Sequence, residues 1–342
     1  MDDQIGSADA RLKRLIDGFK VSAAIYVFVA AGVADLLAAG EATSDQLARK
    51  ASLHPLSLYR LLRALAAAGV VEELDGKRFR LSPVGELLRS NAPGSLAGWA
   101  EFMGSPTTWQ NWGHLAGSVR TGKTAYQLLH GTDAWTYRLS HPAEGALFDR
   151  AMVSSTGAAL ERILQSYDFS RFRTVVDVGG GRGAFLGALL ARHASLTGVL
   201  FDLPAVVAGA DEVLRGFGVH ERCRIESGSF FEVVPANGDA YVLKSVLHDW
   251  YDADALRILA VCRRCMPSGA TLIAVERVLA PPNEGLESKL SDLNMLVNPG
   301  GIERTVEGFG ALLVQAGFHL ERHIPTTGPQ DVLEAVPSSS GT

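Results

Sequence analysis

Two stretches of this 342-residue chain hold residue types at spacings that can do chemistry. Val175 to Phe185 reads VVDVGGGRGAF, in which Gly179, Gly180, Gly181 and Gly183 let a backbone fold tightly against a ligand. Asp177 stands two residues before the first of them, and Asp202 follows Gly179 at close to the ~20-residue offset at which an acidic side chain meets ribose hydroxyls. The second stretch, YVLKSVLHDW, ends a predicted strand with His248, the side chain that most readily takes up a proton near neutral pH. The two together predict a nucleoside-containing ligand with a base beside it. Gly179, Gly181 and Ala184 also satisfy the G-x-G-x-x-G/A pattern of dinucleotide sites, which is weak by itself. A carboxylate at Asp177 repels a pyrophosphate and suits a sulfonium or ammonium cation, so S-adenosylmethionine fits better than a nicotinamide dinucleotide, which stays as an alternative.

Strands and helices that alternate from Phe172 onward must position these residues. The pattern predicts strands over 173–178, 196–202, 223–227, 240–245, 270–278, 318–324 and 331–336, with helices at 184–193, 253–266 and 306–316 among them. This is an α/β class chain with a doubly wound, Rossmann-like sheet, in which ligands bind beyond the carboxyl ends of the strands. Gly179, Asp202, Ser229 and the run from Lys244 to His248 each follow a different predicted strand.

The amino-terminal third has another pattern. Arg11 to Ala39 reads as helix, with an apolar run at 21–34 wider than one core-facing stripe, and burial against a second subunit explains it most simply. Thr43 or Ser44 caps a next helix, His54-Pro55 opens another, and 71–81 alternates around Asp75-Gly76 as a hairpin. Helix, turn, helix and hairpin outline a winged helix. As a DNA reader it is poorly equipped: residues 1–100 hold 12 basic and 11 acidic side chains with no clustered basic face. A scaffold is the expected reading, with a ligand-sensing regulator as its rival. Residues 95–165 carry Trp99, Trp109, Trp112 and Trp135 with further aromatics, the composition of an apolar pocket wall or of ordinary core.

Composition narrows the partners. The net charge of −5 offers no basic field for nucleic acid or an anionic membrane. The run at 21–34 is too short to span a bilayer, and Asp2 and Asp3 replace the basic start of a signal peptide, which predicts a cytoplasmic protein. Cys262 and Cys265 form a CxxC inside a predicted helix with no second pair, so helix packing is favoured over zinc and no metal site is predicted. Only the terminal SSSGT reads as disordered.

VVDVGGGRGAF, LFDLPAV, GSFFEVVP, LKSVLHDWYDADALRIL, VERVLAP and NPGGIERTVEGF, in this order and spacing, resemble the small-molecule O-methyltransferases of the plant caffeic acid, hydroxyindole and bacterial antibiotic-tailoring type. The likeness covers nearly the whole chain. It implies a helical, winged-helix dimerisation domain over 1–100, a helical linker lining the acceptor pocket over 101–165, and a Rossmann-like S-adenosylmethionine-binding domain over 166–342, assembled as a homodimer. It implies that Gly179 and Gly181 hold the donor's methionine part, Asp202 and Leu203 its ribose and adenine edge, Ser229 and Phe230 the adenine, with Lys244 and Trp250 also at the donor. His248 would be the general base flanked by Glu276 and Glu303, and Phe148, Met152, Met295 and Asn298 would line the pocket of a small aromatic hydroxylated acceptor. Members that methylate nitrogen or do donor-assisted chemistry without methyl transfer are the alternatives within this likeness. Ser229 departs from the family's usual acidic residue, which predicts a weaker hold on the adenine amino group.

A phenol with a pKa near 10 is ionised in about one molecule per thousand at pH 7, a handicap of roughly 4 kcal/mol that a base removes. An ordinary imidazole, at about 6.5, is neutral often enough at pH 7 to accept that proton. Glu276 and Glu303 are expected to converge on its other nitrogen, and Asp249 to cap or orient the loop before the helix near Asp252.

Overall fold

The computed structural model describes residues 7–338, with the side chains of Thr156 and Ala158 left out. Asp2, Asp3 and the last four residues of the SSSGT tail lie outside the described residues. The chain divides into two compact units, one running to Gln110 and including Arg150–Ala158, the other made of Asn111–Asp149 and the chain from Ala159 onward.

In the first unit a helix over Ala8–Ala30 leads to β1 (Ala42–Thr43), helices over Ser44–Ala51 and Pro55–Ala67, and the hairpin of β2 (Val71–Leu74) and β3 (Arg78–Leu81). Local chemistry sets these boundaries. Thr43 accepts the Gln46 amide at 3.2 Å while the Gln46 side chain accepts the Thr43 amide at 2.8 Å, a reciprocal cap. His54 accepts the Ser57 amide ahead of Pro55, and Gly76, at φ 73°, turns the hairpin where Asp75-Gly76 predicts it. β1 and β2 flank β3, both antiparallel to it. Phe28, Leu47, Leu62, Leu65 and Phe79 are fully buried beneath them.

The second unit is built on seven strands: β4 (Thr174–Val178), β5 (Thr197–Asp202), β6 (Cys223–Ser227), β7 (Ala240–Lys244), β8 (Thr271–Glu276), β9 (Phe318–Ile324) and β10 (Asp331–Pro337). Their order is β6-β5-β4-β7-β8-β10-β9, with the first five parallel and β10 antiparallel to both of its neighbours. Branched apolar runs such as TVVDV and TLIAVE form the central strands because both faces of the sheet are covered, by one core around Tyr241, Ile258 and Phe309 and another around Phe169, Leu186 and Leu200. The order reverses at β4, which has β5 on one side and β7 on the other, so the crevice for a ligand opens at the carboxyl ends of β4 and β7. The expected elements did not include the helix over Leu286–Val297, which lies between β8 and β9 in the chain. Among the described residues no helix is long and apolar enough to cross a membrane. Cys262 is buried on the helix Asp252–Cys265, where burial pushes its thiol up to about 12.

Candidate active site

β4 runs out at Val178 and the chain turns through three glycines, two in the left-handed region: Gly179 at φ 72° and Gly181 at φ 61°. A β-carbon on Gly179 would stand 2.9 Å from Val246 Cγ2, and one on Gly180 would meet the Asp177 carboxylate at 2.5 Å. Asp202, at the end of β5, accepts the amides of Gly181 at 2.9 Å and Leu203 at 2.7 Å. Its carboxylate thus shapes the turn from the neighbouring strand, with lone pairs remaining for further donors.

Asp177 is 1% exposed, and neither carboxylate oxygen has a hydrogen-bond partner. Burial pushes its proton affinity up to about 7, against the pull of the Lys244 ammonium, which burial in turn lowers. A buried, unpartnered carboxylate beside a turn that excludes side chains fits a compact ligand bearing a cation. Beyond β6, the Ser229 hydroxyl accepts the Phe231 amide at 3.3 Å within its own turn. Phe230, Phe231 and Trp250 meet edge to face, Trp250 lying 4.8 Å from Phe231 and 6.1 Å from Phe230 by ring centroid. These rings form an apolar cluster, Phe230 and Phe231 directly after Ser229 in this turn and Trp250 from the loop that follows β7.

His248 follows β7 on a single turn, Leu247–Asp249. Its Nδ1 lies 3.1 Å from Glu303 Oε1 and 3.9 Å from Glu276 Oε2, while its Nε2 lies 3.6 Å from Asp249 Oδ1. Glu303 is the hydrogen-bonding partner, held by the Ser291 hydroxyl at 2.6 Å. Glu276 does something the sequence reading missed: its Oε1 accepts the amides of Val246 at 3.0 Å and Leu247 at 2.8 Å, tying the loop to the end of β8. Burial works against a charged imidazole, but the carboxylates of Asp249, Glu276 and Glu303 more than offset it and raise His248 to about 10. The expectation of an ordinary imidazole, mostly neutral at pH 7, is therefore corrected, because sequence spacing does not reveal how many carboxylates surround a ring. Burial pushes Glu276 up to about 7 and Asp249 up to about 6. Glu303 stays low despite its burial, because His248 and Ser291 stabilise its charge.

Asp249 caps nothing. The helix Asp252–Cys265 starts at Tyr251 without a side-chain cap, and Asp249 turns instead toward His248. The loop is held by a residue the motifs passed over: Arg304 is 5% exposed and donates to the carbonyls of Leu247 at 3.0 Å and Trp250 at 2.9 Å and to Asp252 at 2.7 Å. Gly301 packs on the other side, where a β-carbon would fall 1.9 Å from the His248 carbonyl oxygen, and the Ile302 amide bonds that oxygen at 2.8 Å. GGIERT was visible as a motif, but its value as a backbone clamp was not.

The expected acceptor residues are distributed unevenly. Phe148 sits edge-on to Trp135 at 5.7 Å, and Trp135 stacks on Trp250 at 6.1 Å, so these rings approach the base through Trp250. Met295 is buried near the end of the helix Leu286–Val297. The Asn298 amide is already engaged, accepting from Asn111 at 3.0 Å and donating to Asn294 at 2.7 Å, which leaves it less free for a ligand. Met152 lies on the helix Pro142–Ser166, in the stretch Arg150–Ala158 that belongs to the first unit.

Comparison with known proteins agrees with this geometry. Residues 112–319 match the O-methyltransferase domain and residues 13–91 the O-methyltransferase dimerisation domain. The chain is 37% identical over 326 residues to the phenazine O-methyltransferase PhzM of Lysobacter antibioticus, covering 95% of each. It is 39% identical over 341 residues to the O-demethylpuromycin-O-methyltransferase of Streptomyces alboniger, covering 96% of this chain and 89% of that one. Human N-acetylserotonin methyltransferase, solved with S-adenosylmethionine, superposes with a TM-score of 0.90 at 27% identity, over 99% of this chain and 100% of that one. With a histidine loop packed beside a glycine turn, and with relatives at this identity over nearly its whole length, the chain belongs to the S-adenosylmethionine-dependent O-methyltransferase family.

Proposed function

We propose that this protein methylates a hydroxyl of a small, flat aromatic acceptor, with His248 as the group that takes the hydroxyl proton, and that it works as a homodimer. One observation supports this most: the loop that carries His248 touches the glycine turn, through Val246 against Gly179, while Glu303 fixes the far side of the imidazole. Bound at the turn, S-adenosylmethionine supplies an electrophilic methyl group on a sulfonium centre. Gly179 and Gly181 admit it closely, Asp177 faces its cationic part, and Asp202, Leu203, Ser229, Phe230 and Trp250 receive its nucleoside. Lys244 balances Asp177.

Glu303 holds the Nδ1 hydrogen, which leaves Nε2 for the acceptor. The acceptor proton passes to Nε2 as the hydroxyl oxygen becomes nucleophilic. A phenol near 10 and an imidazole at about 10 make that transfer close to thermoneutral once the ring is neutral, so at pH 7 the cost of roughly 4 kcal/mol falls on freeing the imidazole and shrinks as pH rises. Phe148, Met295 and Asn298 complete the acceptor wall on this unit. The relatives named for phenazine and demethylpuromycin support an aromatic natural product as acceptor.

The test is His248→Ala. Turnover of a phenolic acceptor should fall by about 10²- to 10⁴-fold, while calorimetry with S-adenosylhomocysteine should show donor-site affinity within about twofold of wild type. Equal loss of both would overturn the assignment.

A further inference from the structure

Arg182 carries the one side chain within the glycine turn, and the proposed reaction leaves it unused. It stands between Gly181 at φ 61° and Gly183 at φ 82°, and the Gly181 amide donates to Asp202 at 2.9 Å. Its guanidinium grips one oxygen of Asp149, with Nε at 3.2 Å and Nη2 at 2.9 Å from Oδ2. The two side chains are 35% and 21% exposed, so salt screens this pair less than one on the open surface. A β-carbon on Gly209 would stand 3.3 Å from Arg182 Nη1, so the segment after Leu203 packs on the guanidinium as well. Asp149 lies on the helix Pro142–Ser166, next in the chain to Phe148, whose ring sits edge-on to Trp135 at 5.7 Å.

Building on the reading that the donor seats at the glycine turn, we propose that Arg182 and Asp149 are positioning residues that couple donor to acceptor wall: a donor on the turn fixes, through this ion pair, the stretch of helix that carries Phe148. Glycines on both sides leave the backbone at Arg182 a wide range, and the turn is the surface that the donor covers. A ligand packed on Gly179 and Gly181 narrows that range. The two-pronged, charge-assisted contact passes the restriction to Asp149, and Phe148 follows because the two are neighbours on one helix. The coupling is reciprocal, so a helix held in place returns affinity to the donor by the same factor. A second route from donor to wall runs through rings, from Trp250 to Trp135 to Phe148. It does not involve Arg182, and removing the guanidinium separates the two.

Hydrogen exchange of the segment 142–149, read by mass spectrometry with and without saturating S-adenosylhomocysteine, tests this in the full chain and needs no acceptor. In wild type the bound product should slow exchange there about fivefold or more, and in Arg182→Met by less than about twofold. Asp149→Asn carries the same expectation and serves if the first variant does not fold. Calorimetry should show S-adenosylhomocysteine still binding to both variants, weaker by about the factor lost from the exchange. Arg182→Lys, which keeps a cation facing Asp149, should retain about threefold slowing. A contact that only stabilised the fold would speed exchange equally with and without ligand and leave their ratio at the wild-type value, which would overturn the proposal. So would a wild type whose segment 142–149 exchanges at one rate in both states, since binding without that effect removes the coupling and leaves the donor site standing. A wild type that binds no S-adenosylhomocysteine would instead remove the donor assignment, and the coupling with it.

Discussion

His248 binds its proton more tightly than an exposed histidine because three carboxylates outweigh the cost of burial, and this sets the sign of the pH response. At about 10, the neutral imidazole is scarce at pH 7 and increases tenfold per pH unit. For a phenolic acceptor kcat/KM should therefore climb between about pH 7 and 9 in initial-rate assays at constant ionic strength, and a flat profile would count against the assignment. Stability runs the other way. A histidine raised from 6.5 to about 10 stabilises the fold in full below 6.5, and that contribution is lost as pH rises through about 10. Asp177 is raised from 3.8 to about 7, so it costs nothing below 3.8 and destabilises increasingly as pH rises through about 7. Asp177→Asn should accordingly melt about 2 °C or more above wild type at pH 8 without donor, while binding S-adenosylmethionine at least tenfold more weakly. A lower melting temperature at pH 8 would show that its carboxylate has a partner in the fold.

The loop from Ser245 to Trp250 is held from every side by backbone contacts. Ser245 sits at φ 54° with its amide on the Val275 carbonyl at 3.0 Å, Glu276 takes the next two amides, Arg304 takes two carbonyls, and the chain at Gly301 lies on the His248 carbonyl. Gly301→Ala forces that packing apart. Activity should fall about 10²-fold, as for a displacement of roughly 1 Å at the chemistry, with an unchanged far-ultraviolet circular dichroism spectrum; activity near wild type would mean the loop yields at no cost. These clamps also explain what the amino-acid sequence shows and what it hides. The strands were legible because buried parallel strands need branched apolar runs, and the glycine turn because few other residues tolerate its dihedrals. Glu276 and Glu303 were legible as neighbours of His248 through the motifs that carry them. Arg304 and the true place of Asp249 were not, since the first depends on contacts between residues far apart in the chain and the second on which way one turn faces. The helix Leu286–Val297 does carry apolar residues at helical spacing, Leu286, Leu290, Leu293 and Val297, so its signal was present and missed.

At the scale of the whole molecule, the long first helix presents Leu12, Leu15, Ile16 and Phe19 at more than half exposure, in a region that matches a dimerisation domain. Sedimentation should report twice the mass of one chain, and Leu15→Glu with Ile16→Glu should shift the population to single chains; a wild type that sediments as one chain would refute the dimer. The strand order carries a consequence for how the sheet closes. β10 follows β9 in the chain yet inserts between β8 and β9, so the outer edge of β8 has no sheet partner until that later segment has folded back. The carboxylate at the tip of β8 anchors the imidazole's loop, and the setting of that loop thus waits on a pairing between segments far apart in the chain.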